Sequence, residues 1–407
     1  MNCRHCGSDL RVKFADLGFA PPSNAYLSKD QLSRSEIWHP LRVRVCGSCW
    51  LVQTEDYTES ENLFTPEYAY VSGTSSTWVT HTREYVSSIT KRLGLGVESH
   101  VMELACNDGH LLRHFQESGI PCLGVEPTKS TADMARRLEL SVIEEFFGED
   151  LALSITKNGK KSDLIVGNNV FAHVPDINDF TMGMKLCLKD QGVITLEFPH
   201  VLNLINGMQF DTVYHEHFSY LSLFSAQKIL ITHGLRLFDV DVIPTHGGSL
   251  RIYACHDSAE FEIQGSVEHL LEKEDQFGLT MDATYSGFQE KVDQIKDEFL
   301  GFLLDQKKNN RTVMGYGAAA KGNTLLNYAG VRSDLVTAVA DASPSKQGMY
   351  LPGSHIPVVS PDHIAEIKPD YVLILPWNLR QEVMSSLNFV REWGAKFVTV
   401  IPRLEIF

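Results

Sequence analysis

The sequence predicts an α/β protein with a central Rossmann-like domain, a cysteine-rich module before it and a second Rossmann-like domain after it. Buried-looking strands alternate with amphipathic helices from about residue 75 to residue 240, and the same rhythm restarts after about residue 310. This alternation is typical of parallel, doubly wound α/β sheets. Two CxxC pairs precede the first alternating stretch, and they indicate a separate N-terminal module.

Composition narrows the functional classes before any motif is considered. The chain has 407 residues, of which 43% are hydrophobic and 21% charged, as in globular proteins of two or three domains. Its formal net charge of -15 argues against a general nucleic-acid binder, because phosphate backbones are bound by basic surfaces. No apolar run approaches the ~18 residues of a membrane helix, and no hydrophobic stretch opens the chain. We therefore expect a cytoplasmic monomer without nucleic-acid or membrane partners.

The cysteine pairs are Cys3-x-x-Cys6 and Cys46-x-x-Cys49. Each pair lies in a short glycine-containing turn, which lets both thiolates face one ion. The 39 residues between the pairs exceed the common zinc-ribbon spacing, and a redox dithiol is the competing interpretation. We predict one structural Zn²⁺ with four thiolate ligands and no catalytic role, because such a site leaves no coordination position open.

Local patterns justify each element of the first α/β stretch. Helical apolar spacing predicts a helix from about residue 75 to residue 95, which "GLG" ends. The stretch "VMELACNDGHLLRHF" predicts a buried strand, a tight turn and a helix, and "PCLGVEPT" predicts the next strand. Strands "SDLIVGNNVFAHV" and "GVITLEFP" follow, then a helix and a strand over residues 223 to 240. A charged helical segment over about residues 258 to 308 precedes the second α/β stretch.

The turn after the first strand and the acid that ends the second strand predict a cofactor site. Gly109 opens a helix, and Glu126 could accept both hydroxyls of an adenosine ribose. The turn has one glycine instead of the three of a dinucleotide fingerprint, which favours S-adenosylmethionine over NAD because S-adenosylmethionine has no pyrophosphate. A domain without a ligand is the alternative. The predicted cofactor-binding residues are Glu103, Cys106, Asn107, Asp108, Gly109, Glu126, Asn168 and Asn169.

Residues of the second α/β stretch and of the turn before it are candidates for substrate binding. Lys321 and Asn323 lie at a helix start in "VMGYGAAAKGN". This helix start either contacts a phosphate or uses its glycines, Gly315, Gly317 and Gly322, only for tight packing. Trp377 and Asn378 follow a late strand, so Trp377 either stacks on a nucleobase or fills the core. His246 and Arg251 in "HGGSLRIY" either contact substrate or phosphate or belong to a plain β-turn.

The segment "DTVYHEHFSYLS" places Tyr214, His215, Glu216 and His217 in consecutive positions. It could be a metal site, a general-base site or a polar loop. Two histidines at i and i+2 on a strand could share a metal ion, but the sequence offers no evident third ligand. A histidine is neutral near pH 7 and therefore suits proton abstraction. We favour the acid–base interpretation.

An ordered set of motifs carries a family resemblance over nearly the whole chain. With the cysteine pairs, the motifs "YAYVSGTSS", "ELACNDGHLLR", "GVEPT", "FAHVP", "YHEHFSYLS", "HGGSLRIY" and "GYGAAAKGNTLLNY" resemble those of S-adenosylmethionine-dependent sugar C-methyltransferases. These enzymes methylate C-3 of nucleotide-linked 4-keto deoxysugars. The resemblance implies a zinc-binding domain over residues 1–75, a class I methyltransferase domain over 76–240 and a nucleotide-sugar-binding α/β domain over 241–407.

The resemblance also implies roles for individual residues. His217 corresponds to the catalytic base, and Tyr214, Glu216 and His173 belong to the same pocket. A tyrosine of the "YAY" stretch joins them, and we favour Tyr68 as catalytic, with Tyr70 and Ser72 contacting the substrate. His215 has no corresponding role. In the expected reaction, His217 removes the C-3 proton beside the C-4 ketone, and Tyr214 or His173 donates to the enolate oxygen. The alternatives are methylation of a sugar oxygen or nitrogen and a non-catalytic nucleotide-sugar-binding protein.

Overall fold

The computed structural model describes residues 1–57, 63, 76–157 and 159–407. Their strands form sheets of four, seven and six strands, which correspond to the predicted module and the two α/β domains. The predicted site residues Tyr68, Tyr70 and Ser72 lie outside the described residues. Within the described ranges, no helix has both the length and the apolar character needed to cross a membrane.

The N-terminal sheet begins with three antiparallel strands, β1 (Leu10–Ala20), β2 (His39–Cys46) and β3 (Val52–Thr54). In β2, buried Leu41, Val43 and Val45 alternate with partly exposed Arg42 and Arg44. This period of two is expected of a strand with one face on the core. The turn between β2 and β3 carries the second cysteine pair.

The central domain alternates helices and strands in the predicted manner. Its first helices are α1 (Ser76–Leu93), α2 (His110–Glu117), α3 (Lys129–Arg137), α4 (Glu149–Thr156) and α5 (Ile177–Cys187). Its parallel strands are β4 (Val101–Leu104), β5 (Cys122–Val125), β6 (Val142–Ile143), β7 (Ser162–Asn168) and β8 (Leu188–Pro199). Helix α6 (Val201–Asn206) and strand β9 (Ser219–Tyr220) follow, and β9 pairs with β3 of the N-terminal sheet.

Two further strands complete the central sheet after helix α7 (Leu223–Thr232). They are β10 (Leu235–Ile243) and β11 (Ser249–His256), and the strand order is β10-β11-β8-β7-β4-β5-β6. Strand β11 is antiparallel to both β8 and β10, so β10 runs in the same direction as the predicted parallel strands and β11 alone among the seven is reversed. Residues 244–248 between β10 and β11 are too few for a crossover connection, which parallel strands require. The predicted domain boundary at residue 240 falls inside β10, so the central sheet extends to His256.

The C-terminal domain is reached through α8 (Gly265–Phe277), α9 (Asp282–Tyr285) and α10 (Phe288–Lys308). Its strands are β12 (Val313–Tyr316), β13 (Val339–Ala340), β14 (Val358–Val359), β15 (Tyr371–Ile374), β16 (Lys396–Thr399) and β17 (Glu405–Ile406). Its helices are α11 (Ala320–Tyr328), α12 (Asp362–Ile367) and α13 (Arg380–Ser386). The order β14-β13-β12-β15-β16-β17 reverses direction between β12 and β15, where α/β sheets bind ligands.

One hydrophobic core joins the N-terminal sheet to the C-terminal domain. Phe14 of β1 stacks on Phe288 of α10 with 4.3 Å between ring centroids, and it meets Tyr285 edge-on at 5.7 Å. Aromatic rings bury ~150–250 Å² each, so this contact is a continuation of the protein interior. Phe210, Val213 and Tyr220 from the middle of the chain pack in the same core. Both ends of the chain therefore hold the segment that carries His217.

Candidate active site

The four predicted zinc ligands form one cluster. Their sulfur atoms all lie within 4.8 Å of one another, with 3.5 Å between Cys3 and Cys49 and 3.4 Å between Cys6 and Cys46. Tetrahedral zinc with Zn–S bonds of about 2.3 Å requires sulfur atoms about 3.8 Å apart, so the four thiolates fit the ion. All four are free cysteines. The N-terminal domain therefore carries the predicted four-cysteine zinc site.

The turn between β4 and α2 is tightly curved and is tied to the next strand. Ala105 and Asn107 have positive φ angles of 55° and 51°, and Gly109 has a φ of 77°. A Cβ atom on Gly109 would lie 2.4 Å from the Leu140 side chain, so only glycine fits this close approach. The Asn107 backbone N–H donates to the Glu126 carboxylate at 2.9 Å. The predicted ribose-binding acid thus lies directly beside the predicted cofactor turn.

A small pocket of about 30 Å³ opens beside this turn. It is lined by the predicted residues Glu103, Cys106, Asp108 and Asn168 and by Trp78, Thr82, Ala105, His110 and Leu111, which the sequence did not indicate. Both polar atoms of the Asn168 amide and the Oε2 atom of Glu103 are buried and have no hydrogen-bond partner among the described residues. Burial raises the pKa of Glu103 well above its usual range, and the nearby Asp108 and Glu126 carboxylates raise it further.

The donor set of this pocket fits a cationic cofactor that carries an amino acid. Glu103 and Asp108 line the cavity and Glu126 lies close by, so their carboxylates repel one another and a positive ligand would relieve that repulsion. S-adenosylmethionine has a sulfonium and an ammonium group for which these acids are suitable counterions. The Cys106 thiol packs away from such a ligand, since a Cβ on Gly124 would lie 2.5 Å from its sulfur. Its contact with the cofactor stays a prediction.

His217 lies in a cluster of buried rings. Its ring centroid is 4.6 Å from that of His173 and 4.0 Å from that of Tyr214. Burial lowers the pKa of His217 well below its usual range, and the neighbouring His173 lowers it further. The imidazole is therefore neutral at pH 7. Its Nδ1 atom is 2.9 Å from the Thr212 carbonyl oxygen, which only accepts, so Nδ1 carries the proton and Nε2 carries the lone pair.

The two residues before His217, His215 and Glu216, contact the N-terminal domain. The Asn24 backbone N–H and side-chain amide both donate to Glu216 Oε1 at 3.2 Å, and burial raises the pKa of Glu216. The His215 Nε2 atom is 3.2 Å from the Pro40 carbonyl oxygen. The backbone here forms a turn, because the His217 N–H donates to the Tyr214 carbonyl.

The metal interpretation of "HEH" is not supported. The His215 ring faces the Pro40 carbonyl oxygen and the His217 ring faces the Thr212 carbonyl oxygen, so the two rings have separate partners. Among the described residues, the cysteine cluster is the group suited to hold a metal ion.

His246 links the imidazole cluster to the cofactor pocket. Its Nε2 atom is 3.3 Å from the Asn169 side-chain nitrogen, and its ring is 5.4 Å from that of Trp78, which lines the pocket. Burial lowers the pKa of His246 to about 4, so this ring is also neutral at pH 7. Its backbone φ of 54° is unusual for a non-glycine residue and is imposed by the tight turn between β10 and β11.

Arg251 pairs with a buried carboxylate that the sequence did not indicate. Its guanidinium lies 2.9 Å from Glu197 and 4.4 Å from the Tyr85 ring centroid. Glu197 is fully buried and also contacts His81 Nε2 at 3.0 Å. The charge of Arg251 is thus matched inside the protein, and its role as a phosphate contact stays a prediction.

Lys321, Trp377 and Asn378 meet where the strand order of the C-terminal sheet reverses. Lys321 Nζ donates to Asn378 Oδ1 at 2.7 Å and lies 4.8 Å from the Trp377 ring centroid. The Trp377 indole N–H donates to Asp211 at 2.8 Å, which brings a further unpredicted acid into the site. The Asn323 side-chain N–H donates to the Ser23 carbonyl at 2.7 Å, so this amide holds the N-terminal segment.

The geometry therefore combines a carboxylate-lined cofactor pocket with a buried neutral imidazole and a partly buried ammonium group. The first two lie at the carboxyl end of the central sheet, and the third lies at the switch point of the second sheet. Such an arrangement suits removal of a proton from an acidic carbon and delivery of that carbon to an electrophile. Asp211, Glu197, His81 and Trp78 were missed because each stands alone in the sequence and joins the site only through the fold.

Known proteins match this arrangement along nearly the whole chain. Residues 3–64 match a family described as "Putative zinc binding domain", residues 78–240 one described as "Methyltransferase domain", and residues 244–402 one described as "C-methyltransferase C-terminal domain". The C-methyltransferase NovU of Streptomyces niveus is 32% identical over 400 residues, which cover 98% of this chain and 95% of NovU.

Solved structures align with less than half of the chain. The magnesium protoporphyrin IX methyltransferase ChlM of Synechocystis PCC 6803 with bound SAM is 16% identical, with a TM-score of 0.33 over 44% of this chain and 81% of ChlM. A SAM dependent methyltransferase from Archaeoglobus fulgidus is 16% identical, with a TM-score of 0.34 over 42% of this chain and 93% of that protein. NovU, in contrast, aligns across all three sheets of this chain.

Proposed function

This chain belongs to the C-methyltransferase family, and we propose that it methylates C-3 of a nucleotide-linked 4-keto-6-deoxyhexose in branched deoxysugar synthesis. The observation that carries this proposal is the buried, neutral His217 imidazole with its proton held on Nδ1. A carbon nucleophile must first lose a proton, and the C-4 ketone makes the C-3 hydrogen acidic. A positioned histidine free base is suited to that step.

The residues around His217 support the same chemistry. His173 and Tyr214 are the nearest rings, and both have hydrogens that can be donated to an enolate oxygen. A preorganised donor to a developing oxyanion contributes roughly 3–4 kcal/mol in enzymes that use one. Glu216, whose carboxyl is held by Asn24, fixes the turn that presents His217.

The carboxylate-lined pocket supports binding of the methyl donor. Glu103 and Asp108 would face its charged amino-acid part, and Glu126 would face its ribose. When bound, S-adenosylmethionine supplies a methyl group on a cationic sulfur, which leaves as a neutral thioether. In such an in-line displacement, the main contribution of the protein is to align the reacting carbon with the methyl group.

The C-terminal domain supports binding of the nucleotide part of the substrate. Its sheet reverses strand order beside Trp377 and Asn378, which is the usual ligand position in this fold. Trp377 also donates to Asp211, six positions before His217 in the chain. A sugar joined to a nucleotide at this switch point would extend toward the imidazole cluster.

Deuterium exchange tests this proposal directly. The enzyme is incubated in D₂O with a thymidine or guanosine diphosphate 4-keto-6-deoxyhexose and S-adenosylhomocysteine, and deuterium is located by NMR and mass spectrometry. We expect uptake at C-3, and replacement of His217 by Asn should slow it by roughly 10²–10⁴-fold. With S-adenosylmethionine, the product should gain one methyl group on the same carbon.

The matched control is His215→Gln, which changes the neighbouring histidine while keeping a donor for the Pro40 carbonyl. This variant should exchange C-3 at the wild-type rate. Uptake at C-5, the other carbon beside the ketone, would overturn the C-3 position. A methylated oxygen or nitrogen without exchange would place the enzyme among O- or N-methyltransferases, and binding without any product would indicate a non-catalytic protein.

A further inference from the structure

A partly buried ammonium group, that of Lys321, lies at the switch point of the C-terminal sheet. Lys321 occupies the first turn of α11, and among the described residues its Nζ atom donates to Asn378 Oδ1 at 2.7 Å. The Trp377 ring lies beneath Nζ at 4.8 Å, in the range of a cation–π contact. An ammonium group has three hydrogens, so this arrangement leaves donor capacity for a ligand.

Two chains of contacts connect Lys321 to the imidazole cluster. In the first, Trp377 donates to Asp211, and the next residue, Thr212, holds Nδ1 of His217 through its carbonyl oxygen. In the second, Trp377 packs on Gly247 so closely that an added Cβ would lie 2.5 Å from the indole, and Gly247 follows His246. Lys321 is therefore on the same side of the molecule as His217 and His246.

The surroundings of Lys321 do not suit a diphosphate. Asp211 is fully buried, and its carboxylate accepts a hydrogen bond from the Trp377 indole. Burial raises the pKa of Asp211 to about 6, so its carboxyl is largely ionised at pH 7.5. A doubly charged diphosphate placed against this buried carboxylate would be repelled. A single oxyanion that forms only during the reaction would accept a hydrogen bond from the ammonium group. The Asp211 carboxylate would stay in place as the counterion.

We propose that the Lys321 ammonium group stabilises the enolate oxygen formed at C-4 when His217 removes the C-3 proton, an inference that rests on the function proposed above. His217 Nε2 accepts the proton, and the electrons of the C–H bond form a C-3–C-4 double bond while the carbonyl electrons move onto oxygen. Lys321 donates a hydrogen bond to that oxygen and keeps its proton. When C-3 bonds to the methyl carbon, the electrons return, the ketone re-forms and the sulfur leaves with its bonding pair.

Asp211 is then a positioning residue. Burial lowers the pKa of Lys321, and the Asp211 carboxylate opposes that shift and keeps the amine protonated. Through Trp377 it also fixes the ring over which the ammonium lies. The sequence also offered a phosphate contact as one interpretation of Lys321. A phosphate contact and an enolate contact lead to different outcomes in one experiment.

The experiment compares wild type with Lys321→Met and Lys321→Arg. Deuterium uptake at C-3 is measured in D₂O with saturating keto-sugar and S-adenosylhomocysteine, and affinity for thymidine and guanosine diphosphate is measured by calorimetry. We expect Lys321→Met to slow exchange by roughly 10²–10³-fold, as expected for loss of an oxyanion donor. Affinity for the nucleoside diphosphate should stay within twofold of wild type, and Lys321→Arg should exchange faster than Lys321→Met.

Exchange by Lys321→Met within threefold of wild type would overturn the inference, as would a tenfold loss of diphosphate affinity with an unchanged saturated rate. If Lys321→Met fails to fold, the same two measurements are made on the double variant Lys321→Met/Asp211→Asn. This variant removes both charges and keeps an acceptor for Trp377. Wild-type enzyme that exchanges no C-3 hydrogen would refute the proposed function. Wild-type exchange that Lys321→Met leaves intact would refute this inference alone.

Discussion

At the scale of single residues, the contact between His217 Nδ1 and the Thr212 carbonyl sets the chemistry, because it leaves Nε2 as the atom with a lone pair. Burial and the neighbouring His173 place the pKa of His217 well below its usual range, and His246 and Lys321 act in the same direction. Because its pKa is lowered, His217 keeps its neutral base form at neutral pH and loses it only in acid. The C-3 exchange rate should therefore stay flat from about pH 8 down to about pH 6.5, the ordinary pKa of histidine.

This profile is measured as the saturated exchange rate against pH, with Asp211→Asn as the comparison. The pKa of Asp211 is raised to about 6, so protonation of this carboxyl would appear in the wild-type profile and vanish in the variant. A half-maximal rate at pH 7 in both proteins would contradict a buried, neutral base.

His215 is expected to influence stability and not catalysis. Burial lowers its pKa to about 4, against about 6.5 in an unfolded chain. Below pH 6.5 the unfolded state binds a proton that the folded state excludes, so the stability contributed by the neutral ring is present above pH 6.5 and is lost toward pH 4. Between pH 7 and pH 5 wild type should lose on the order of 2 kcal/mol more than His215→Gln. Urea unfolding at both pH values checks this, and equal losses would contradict it.

At the scale of elements, the turn from Phe210 to His217 is held from both sides. Thr324 of α11 donates its hydroxyl to the Val213 carbonyl at 2.8 Å, and Asn24 donates to Glu216 from the N-terminal side. Strand β9 then joins β3, which fixes the end of the segment. A short turn without such partners would populate many conformations, and a base is effective only in the right one.

Replacement of Thr324 by Val tests this support. The change keeps the shape of the side chain but leaves the buried Val213 carbonyl without its donor, which costs about 1–3 kcal/mol. We expect the saturated methyl-transfer rate to fall by roughly tenfold while the affinity for S-adenosylhomocysteine is unchanged. Thr324→Ser retains the hydroxyl and serves as the control. Equal rates for the Val and Ser variants would show that this bond does not position the base.

At the scale of the whole molecule, the zinc-binding domain shares a core with the C-terminal domain, so loss of the metal should extend beyond the metal site. Cys49→Ser should abolish binding of one zinc ion per chain and lower the midpoint of thermal unfolding by roughly 10 °C or more. Methyl transfer should fall as well, because β3 supports β9 behind the His217 turn. Elemental analysis, calorimetry and rate measurements check these three effects.

Cys255→Ser is the matched control for the zinc variant. Cys255 is a buried free cysteine in the core of the central domain, outside the metal cluster. This variant should keep its zinc and most of its activity. Full activity in zinc-free Cys49→Ser would contradict a supporting role for the metal.

The sequence predicted most of the fold because alternating burial, turn glycines and cysteine spacing are local signals. It did not predict the antiparallel β10–β11 pair, because that pairing depends on the position of β10 in the strand order of the sheet. The predicted loops after β4, β7, β12 and β15 do contribute polar side chains to one region. Asp211 and Glu197 were missed because a lone acid gives no pattern. Only burial and an indole or guanidinium partner distinguish these acids from solvated ones.

The bond between Asp211 and Trp377 spans 166 residues of chain, and it has a consequence for synthesis on the ribosome. At ~5–20 residues per second, the ribosome needs roughly 8–33 s to reach Trp377 after it has added Asp211. During that interval the central sheet can already form, while the segment with His217 still lacks its last partners. A nascent chain could thus bind the methyl donor before it could use it, so chemical competence would arrive with the domain that carries Trp377.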